Sequence, residues 1–103
     1  MNYKFKQFEI PEHMVDPINL YVNQGVLLSG FLEAIICNNL KGAVGRADDE
    51  NIKNIPAFVD YFYNKAPSIC WGSYEKMIIW QKCGGANGLI KKAEKKINEA
   101  KDE

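Results

Sequence analysis

Five side chains in the middle of the sequence have the chemistry needed to bind a phosphate-bearing molecule. Arg46, Asp48 and Asn51 supply a bidentate donor, an acceptor and an amide within six positions. Trp71 offers a flat face for stacking, and Ser73 precedes a predicted helix whose free backbone amides could hold a phosphate. Together these residues predict a nucleotide-type pocket.

Each of these residues also has an ordinary structural role open to it. Arg46 can pair with Glu50, because side chains four positions apart are neighbours on a helix. The other four can serve as caps or as a core anchor: Asp48 and Asn51 as helix caps, Trp71 as a buried aromatic, and Ser73 as a plain N-cap. Short motifs discriminate weakly between such interpretations, so the sequence leaves both open.

The sequence lacks the side-chain patterns that catalysis or a metal site would require. His13 is the only histidine, and the acidic run 48–50 lacks the spaced ligands and the glycine of a calcium loop. Cys70 has no histidine near it in the sequence, and the three cysteines lack the paired spacing of zinc sites. We therefore expect reduced cysteines and a protein that is not an enzyme, with no catalytic residue, metal ion or cofactor.

Charge and hydropathy narrow the classes of partner. Thirteen basic residues balance thirteen acidic ones, so the chain lacks the positive surplus that attracts nucleic acid or anionic lipid. No apolar run approaches the roughly 18 residues of a membrane span, and residues 1–13 lack the apolar core of a signal peptide. We expect no nucleic-acid or membrane partner and a location in the cytoplasm.

The hydrophobic pattern predicts an all-α fold, a compact bundle of four to five short helices. The clearest signal is an apolar stripe at residues 27, 28, 31, 32, 35 and 36, which recurs at the helical period. A later helix should bury Phe58, Val59 and Phe62. Caps and breakers predict helix boundaries at Asp16, Gly25, Asn54 and Ser73.

These helices are expected to form a single domain, residues 1–103, in four parts. Residues 1–11 alternate aromatic and polar side chains, which favours an extended arm. The helical core should cover 12–83, and the Gly-rich run 84–88 should form a flexible joint. Residues 89–103 are rich in Lys and Glu and predict a C-terminal helix or tail.

The C-terminal part has the pattern of a helix that packs on another helix. Ile90, Ala93, Ile97 and Ala100 recur at heptad-like spacing between lysines. This segment should dock on the core, pair with another copy, or fray. We expect a homo-oligomer.

The order of several short motifs resembles a family of small bacteriophage and prophage proteins of unassigned function. The motifs are YVNQG, GFLEAIICNNLKGAV, GRADDEN, FYN, AP and CWGS, and they cover about residues 10–80. RADDEN and CWGS are the most specific of them, whereas Asn39 stands where the family pattern has Asp. The resemblance implies a phage-encoded accessory protein in the cytoplasm of a bacterial host, and it implies no catalytic residues.

Two functions from different classes are consistent with these observations. The first is an oligomeric counter-defence sponge that captures a host nucleotide signal in a pocket built with Arg46 and Trp71. The second is a helical interaction module that binds and inhibits a host protein through an exposed aromatic face, with Tyr61, Tyr63 and Tyr74 as candidates.

Overall fold

The computed structural model describes residues 3–101, with side chains through residue 98. In this range a short β-hairpin is followed by seven α-helices and two single 3₁₀ turns. The strands are β1 (Lys4–Phe5) and β2 (Phe8–Glu9), and the 3₁₀ turns are Glu12–Met14 and Ser68–Cys70. The helices are α1 (Val15–Gln24), α2 (Gly30–Ile36), α3 (Leu40–Arg46), α4 (Asp49–Lys53), α5 (Ile55–Asn64), α6 (Tyr74–Cys83) and α7 (Gly85–Lys101).

The prediction of an all-α fold is confirmed, although the described helices number seven rather than four to five. The additional boundaries lie where polar side chains cap short helices. The Asn39 side chain accepts a hydrogen bond from the Gly42 N–H at 3.0 Å and thereby starts α3. Asp48 starts α4 in the same way. Because each cap satisfies free amides of a first turn, this part of the chain forms two short helices.

Several helix ends lie where the sequence predicts them. Gly25 ends α1 with a φ of 71°, a left-handed conformation that glycine adopts without steric cost. Asn54 precedes α5, which has Pro56 in its first turn and ends at Asn64. Ser73 is confirmed as the N-cap of α6, where its hydroxyl accepts the Lys76 N–H at 3.2 Å. These boundaries depend on interactions within four residues, which a sequence shows directly.

Two helices begin at positions that differ from the predicted ones. The 3₁₀ turn Glu12–Met14 leads directly into α1, so Asp16 lies in the first turn rather than at the N-cap. Ser29 starts α2 by accepting the Leu32 N–H at 3.2 Å. Leu28, which was predicted to belong to the core stripe, therefore lies before the helix and is 74% exposed.

The predicted flexible joint at residues 84–88 is replaced by a sharp turn between two helices. Gly84 ends α6 with a φ of 80°, and α7 begins at the next residue. Glycine composition suggested a loop here, but the conformational freedom of these residues serves the turn and a close backbone contact instead.

The N-terminal arm folds back as a hairpin on α5 of the same chain. Phe5 pairs with Phe8 across the two strands, which both contact α5. The Tyr3 hydroxyl donates a hydrogen bond to the Asp60 carboxylate, and its ring packs edge-on against Tyr61 at 5.3 Å. That hydrogen bond is the main cause that raises the pKa of Tyr3 to about 12.

The core is built where α1, α2, α5 and α6 meet. Phe58 of α5 is fully buried and packs edge-on against Phe31 of α2, with ring centroids 5.0 Å apart. The Tyr21 hydroxyl donates to the Cys70 carbonyl at 2.6 Å, and Trp80 Nε1 donates to the Tyr21 carbonyl at 3.0 Å. These two bonds join α1 to the second 3₁₀ turn and to α6 inside the apolar core.

Backbone atoms at the end of α1 closely approach the turn between α6 and α7. Gly25 and Gly85 approach so closely that a Cβ atom added to Gly85 would lie 2.6 Å from the Gly25 nitrogen. A Cβ atom added to Gly25 would lie 2.8 Å from the Trp80 carbonyl oxygen. Only glycine permits this approach, which sets the direction in which α7 leaves the body of the protein.

None of the helices in the described range combines the length and the apolar character that crossing a bilayer requires.

Candidate functional site

Arg46 and Trp71, the two central residues of the predicted nucleotide pocket, lie near opposite ends of α2. Arg46 Nη1 donates a hydrogen bond to the carbonyl of Gly30, the first residue of α2, at 3.2 Å. Next to Trp71, the Gly72 N–H donates to the carbonyl of Ile36, the last residue of α2, at 2.7 Å. With a rise of about 1.5 Å per residue, these two ends are separated by roughly 9 Å along the helix axis.

Trp71 lines a small pocket that Arg46 does not reach. Its ring is half-buried and packs against Phe62, with centroids 6.0 Å apart. The pocket has a volume of about 40 Å³ and lies between α2, α3 and α5, lined by Ala34, Ile35, Asn38, Asn39, Leu40, Ala43, Ile55, Val59 and Trp71. Small-molecule sites have volumes of roughly 300–1,000 Å³, so this pocket alone is too small for a nucleotide.

Asp48 caps α4 and also contacts the only histidine. Its Oδ1 accepts the Asn51 N–H at 2.7 Å, and its Oδ2 lies 2.8 Å from His13 Nε2. The Asn51 backbone hydrogen bond, with a smaller contribution from His13, lowers the pKa of the Asp48 carboxyl. Glu50 lies 3.7 Å from the other ring nitrogen of His13, so the two carboxylates flank opposite sides of the ring. They do not converge on one point as metal ligands would, and no metal-binding group of three such residues occurs in the part of the chain that the structure describes.

Asp48→Asn is expected to lower the free energy of unfolding at neutral pH. In acid this difference from wild type should disappear. Asparagine keeps an oxygen for the cap, so the substitution removes chiefly the charge. A carboxyl whose pKa is lowered on folding stabilises the protein above its ordinary, unfolded-state pKa, and this contribution disappears as the pH falls through the lowered folded-state pKa. The difference in free energy of unfolding between wild type and variant, measured by urea titration, should therefore be largest near neutrality and shrink below about pH 4.

The matched control for this measurement is Asp49→Asn. Asp49 lies one residue further on in the first turn of α4, is exposed, and makes no side-chain hydrogen bond to another described residue. A similar pH-dependent difference for Asp49→Asn would contradict the assignment of the effect to the Asp48 cap.

Asn51 is buried rather than presented to solvent. Its side chain is only 3% exposed, and its Oδ1 has no hydrogen-bond donor within reach among the described residues. Of the five predicted site residues, Asn51 therefore has the least surface available to a dissolved ligand. The sequence offered both Asp48 and Asn51 as helix caps; in the structure Asp48 is the cap of α4, and Asn51 donates its backbone N–H to it.

A second depression, next to α4, is lined by acidic residues. It has a volume of about 380 Å³ and is lined by Gln7, Glu9, Ile10, Pro11, Glu12, Glu50 and Asn54. Three carboxylates without a basic partner in the lining would repel a phosphate group. This depression therefore does not favour the predicted class of ligand.

Burial makes two of the three cysteine thiols, Cys37 and Cys70, poorly suited to nucleophilic chemistry. Burial raises the pKa of the Cys70 thiol to about 11, so it stays protonated at neutral pH. Burial also raises the pKa of Cys37, whose sulfur lies 3.5 Å from that of Met77. All three cysteines are free thiols.

The outer face of α5 and the N-terminal hairpin form an apolar groove that the sequence did not reveal. This groove has a volume of about 410 Å³ and is lined by Phe5, Ile55, Pro56, Val59, Asp60 and Tyr63. Tyr63 is 76% exposed and Val59 44% exposed. Ile55 and Val59 also line the Trp71 pocket, so the two depressions are neighbours that share part of their lining. We call the larger depression the α5 groove.

Val59 was predicted to lie in the buried stripe of this helix, and the structure corrects that prediction. Phe58 and Phe62 are fully buried, whereas Val59 faces the α5 groove. Successive helical residues differ by about 100° around the axis, so Val59, next to Phe58 in sequence, belongs to a second stripe. The recurrence of Ile55, Val59 and Tyr63 at intervals of four is the signal that could have revealed this exposed face.

The three tyrosines of the predicted interaction face are not equivalent. Tyr61 is half-buried between Tyr3 and Phe62, with ring centroids 5.3 and 5.4 Å away. Tyr63 lines the α5 groove. Tyr74 is 59% exposed but lies at the start of α6 and does not line that groove.

Comparisons of the chain with models of protein families, with curated proteins and with solved structures found no match. The resemblance to phage proteins therefore stays a prediction from the motifs.

Proposed function

We propose that this protein is a non-enzymatic interaction module that binds a partner protein through the α5 groove. The observation that carries the proposal is the apolar lining of the α5 groove, where the exposed Val59 and Tyr63 lie beside the half-buried Phe5. Exposed apolar patches of this kind mark interaction sites in soluble domains more often than isolated exposed residues do.

The groove has the composition expected of a protein-binding surface. Tyr63 supplies an aromatic ring with a polar tip, which is a frequent anchor residue in interfaces. Asp60 is the one charged residue in the lining, and its carboxylate already accepts the Tyr3 hydrogen bond. A partner segment with apolar side chains and one Lys or Arg opposite Asp60 would therefore bury the groove without leaving this carboxylate as an unpaired buried charge.

The family resemblance supplies the biological setting of this proposal. A phage-encoded accessory protein acts in the bacterial cytoplasm, where the partner would be a host protein that it inhibits. The α5 groove supports the proposal that the protein binds a partner. The resemblance supports the proposal that this partner is a host protein.

The nucleotide sponge remains a second proposal, and the exposure of Arg46 is the observation that favours it. The guanidinium donates one hydrogen bond to Gly30 and is otherwise open to solvent, so it keeps donors for a phosphate. Because the pocket beside Trp71 is too small for a nucleotide and Arg46 does not line it, a second copy would complete such a site.

Tyr63→Ala is expected to weaken partner binding at least about tenfold while leaving the fold intact, because the side chain is exposed and central to the groove. The partner would be captured from extracts of the bacterial host, purified, and titrated against wild type and variant by isothermal calorimetry. Tyr74→Ala is the matched control, since it removes an exposed tyrosine outside the groove. Equal binding by wild type and Tyr63→Ala would contradict the proposal.

Arg46→Ala separates the two proposals. It should abolish binding of a phosphate-bearing ligand but only modestly weaken a broad protein interface. Native mass spectrometry of protein purified from its host provides the readout. A retained nucleotide-sized mass that is lost in Arg46→Ala, with partner binding unaffected by Tyr63→Ala, would support the sponge instead.

A further inference from the structure

The small pocket beside Trp71 has a buried apolar floor and an exposed rim. Ala34 and Ala43 line it where α2 packs against α3, and both are buried. Because these two side chains are small, they leave a depression that larger ones would fill. Leu40 and Val59 also line the pocket, and both are exposed. The pocket is therefore accessible to a side chain of another molecule.

The volume of this pocket matches one aliphatic side chain. A single water-sized group occupies about 10–15 Å³ of such space, so the pocket's volume of about 40 Å³ holds about three of them. The branched side chains of Val, Leu and Ile are of about this size, whereas an aromatic ring is larger. The size therefore favours a single branched aliphatic side chain.

The charge of the lining favours an uncharged occupant. None of the described residues that line the pocket is acidic or basic. A charged group that entered it would lose its hydration without meeting an opposite charge. Trp71 instead offers a half-buried ring as an apolar wall.

Asn38 adds polar groups at the edge of this pocket. It lies between α2 and α3 with a φ of 59°, a left-handed conformation that asparagine tolerates better than most residues. Its side chain is exposed and makes no hydrogen bond to another described residue. An amide both donates and accepts, so it matches the N–H and C=O groups of a peptide backbone. This feature favours an aliphatic residue within a peptide over an isolated apolar molecule.

We propose that the pocket beside Trp71 receives one Val, Leu or Ile side chain of the partner protein, from the same segment that lies in the α5 groove. Ile55 and Val59 line both depressions, so neighbouring residues of one segment reach both. A side chain inserted into a pocket of this kind is a typical anchor of a protein interface. The inference rests on the proposed function, since it names the chemistry of the partner segment.

N-acetyl-leucinamide tests the pocket without the partner, because this probe carries one leucine side chain between two peptide groups. In an NMR titration of the backbone amides it should shift the signals of Asn38, Leu40 and Trp71, with a dissociation constant in the millimolar range. N-acetyl-phenylalaninamide and N-acetyl-lysinamide should bind at least about fivefold more weakly, because one is too large and the other is charged. No shift of these signals, or equal binding of all three probes, would overturn the proposal.

Leu40→Ala tests whether the leucine probe binds in this pocket. The substitution removes part of the pocket wall from a side chain that is 71% exposed, so the fold should stay intact and the probe should bind at least about threefold more weakly. Val44→Ala is the matched control, because Val44 is also exposed on α3 but does not line the pocket. Equal binding of the probe by Leu40→Ala and wild type would overturn the proposal.

The host partner separates a failure of this inference from a failure of the proposed function. Weaker partner binding by both Leu40→Ala and Tyr63→Ala would support both proposals. Weaker binding by Tyr63→Ala alone would support the proposed function and overturn the role of the pocket. Weaker binding by neither variant would contradict the proposed function, whether or not the pocket binds the leucine probe.

Discussion

Replacing Gly85 with alanine is expected to lower the free energy of unfolding by about 2–5 kcal/mol. Gly85 has a φ of 69°, a conformation that strains any residue with a side chain. The new methyl group would also lie 2.6 Å from the Gly25 nitrogen and 2.7 Å from the Asn23 carbonyl carbon. Both are backbone atoms of the α1 terminus, so they cannot rotate aside as a side chain could. Urea unfolding followed by circular dichroism measures the effect.

Gly45→Ala is the control for this substitution. Gly45 lies inside α3, and a Cβ atom added there would meet nothing within 4 Å. Alanine is the better helix former, so this variant should be more stable than wild type by up to about 1 kcal/mol. If Gly85→Ala matched the stability of wild type, the close contact between α1 and the start of α7 would be wrong.

Phe58→Ala is expected to cost about 3–5 kcal/mol of unfolding free energy. The side chain is fully buried and packs edge-on against Phe31 at 5.0 Å, where α5 meets α2. Removing the ring takes away its burial and leaves a cavity that surrounding helices fill only in part. A domain of this size is stable by roughly 5–15 kcal/mol in total, so the variant should unfold at a much lower urea concentration.

Tyr63→Ala provides the comparison on the same helix. It also removes an aromatic ring from α5, but from a side chain that is 76% exposed, and its stability should stay within about 0.5 kcal/mol of wild type. Equal losses for the two variants would mean that the buried and exposed faces of α5 have been assigned incorrectly.

The buried residues of α2 were predictable because the pattern is local and strong. Phe31, Leu32, Ile35 and Ile36 recur at the helical period and are all buried. Leu28 fits the same period but is exposed, since the Ser29 cap starts the helix after it. Periodicity alone cannot show where a helix begins when apolar residues continue beyond the cap.

The candidate site was less predictable than the helices. The sequence places Arg46 and Trp71 25 positions apart and does not show that α2 separates them. The α5 groove was missed because Phe5 joins it from the hairpin, some 50 residues before α5. The stripe at residues 55, 59 and 63 was visible in the sequence, but its exposure depends on which face of α5 the core already covers.

The sequence by itself determined the all-α class and the helix ends at Gly25, Asn54 and Ser73, since caps and apolar periods act within a few residues. Only the tertiary structure decided which apolar stripe of α5 is buried and which side chains share a surface. It also decided that Gly85 serves a backbone contact rather than a flexible joint. These outcomes depend on contacts between residues distant in the chain, and many different packings satisfy the same local pattern.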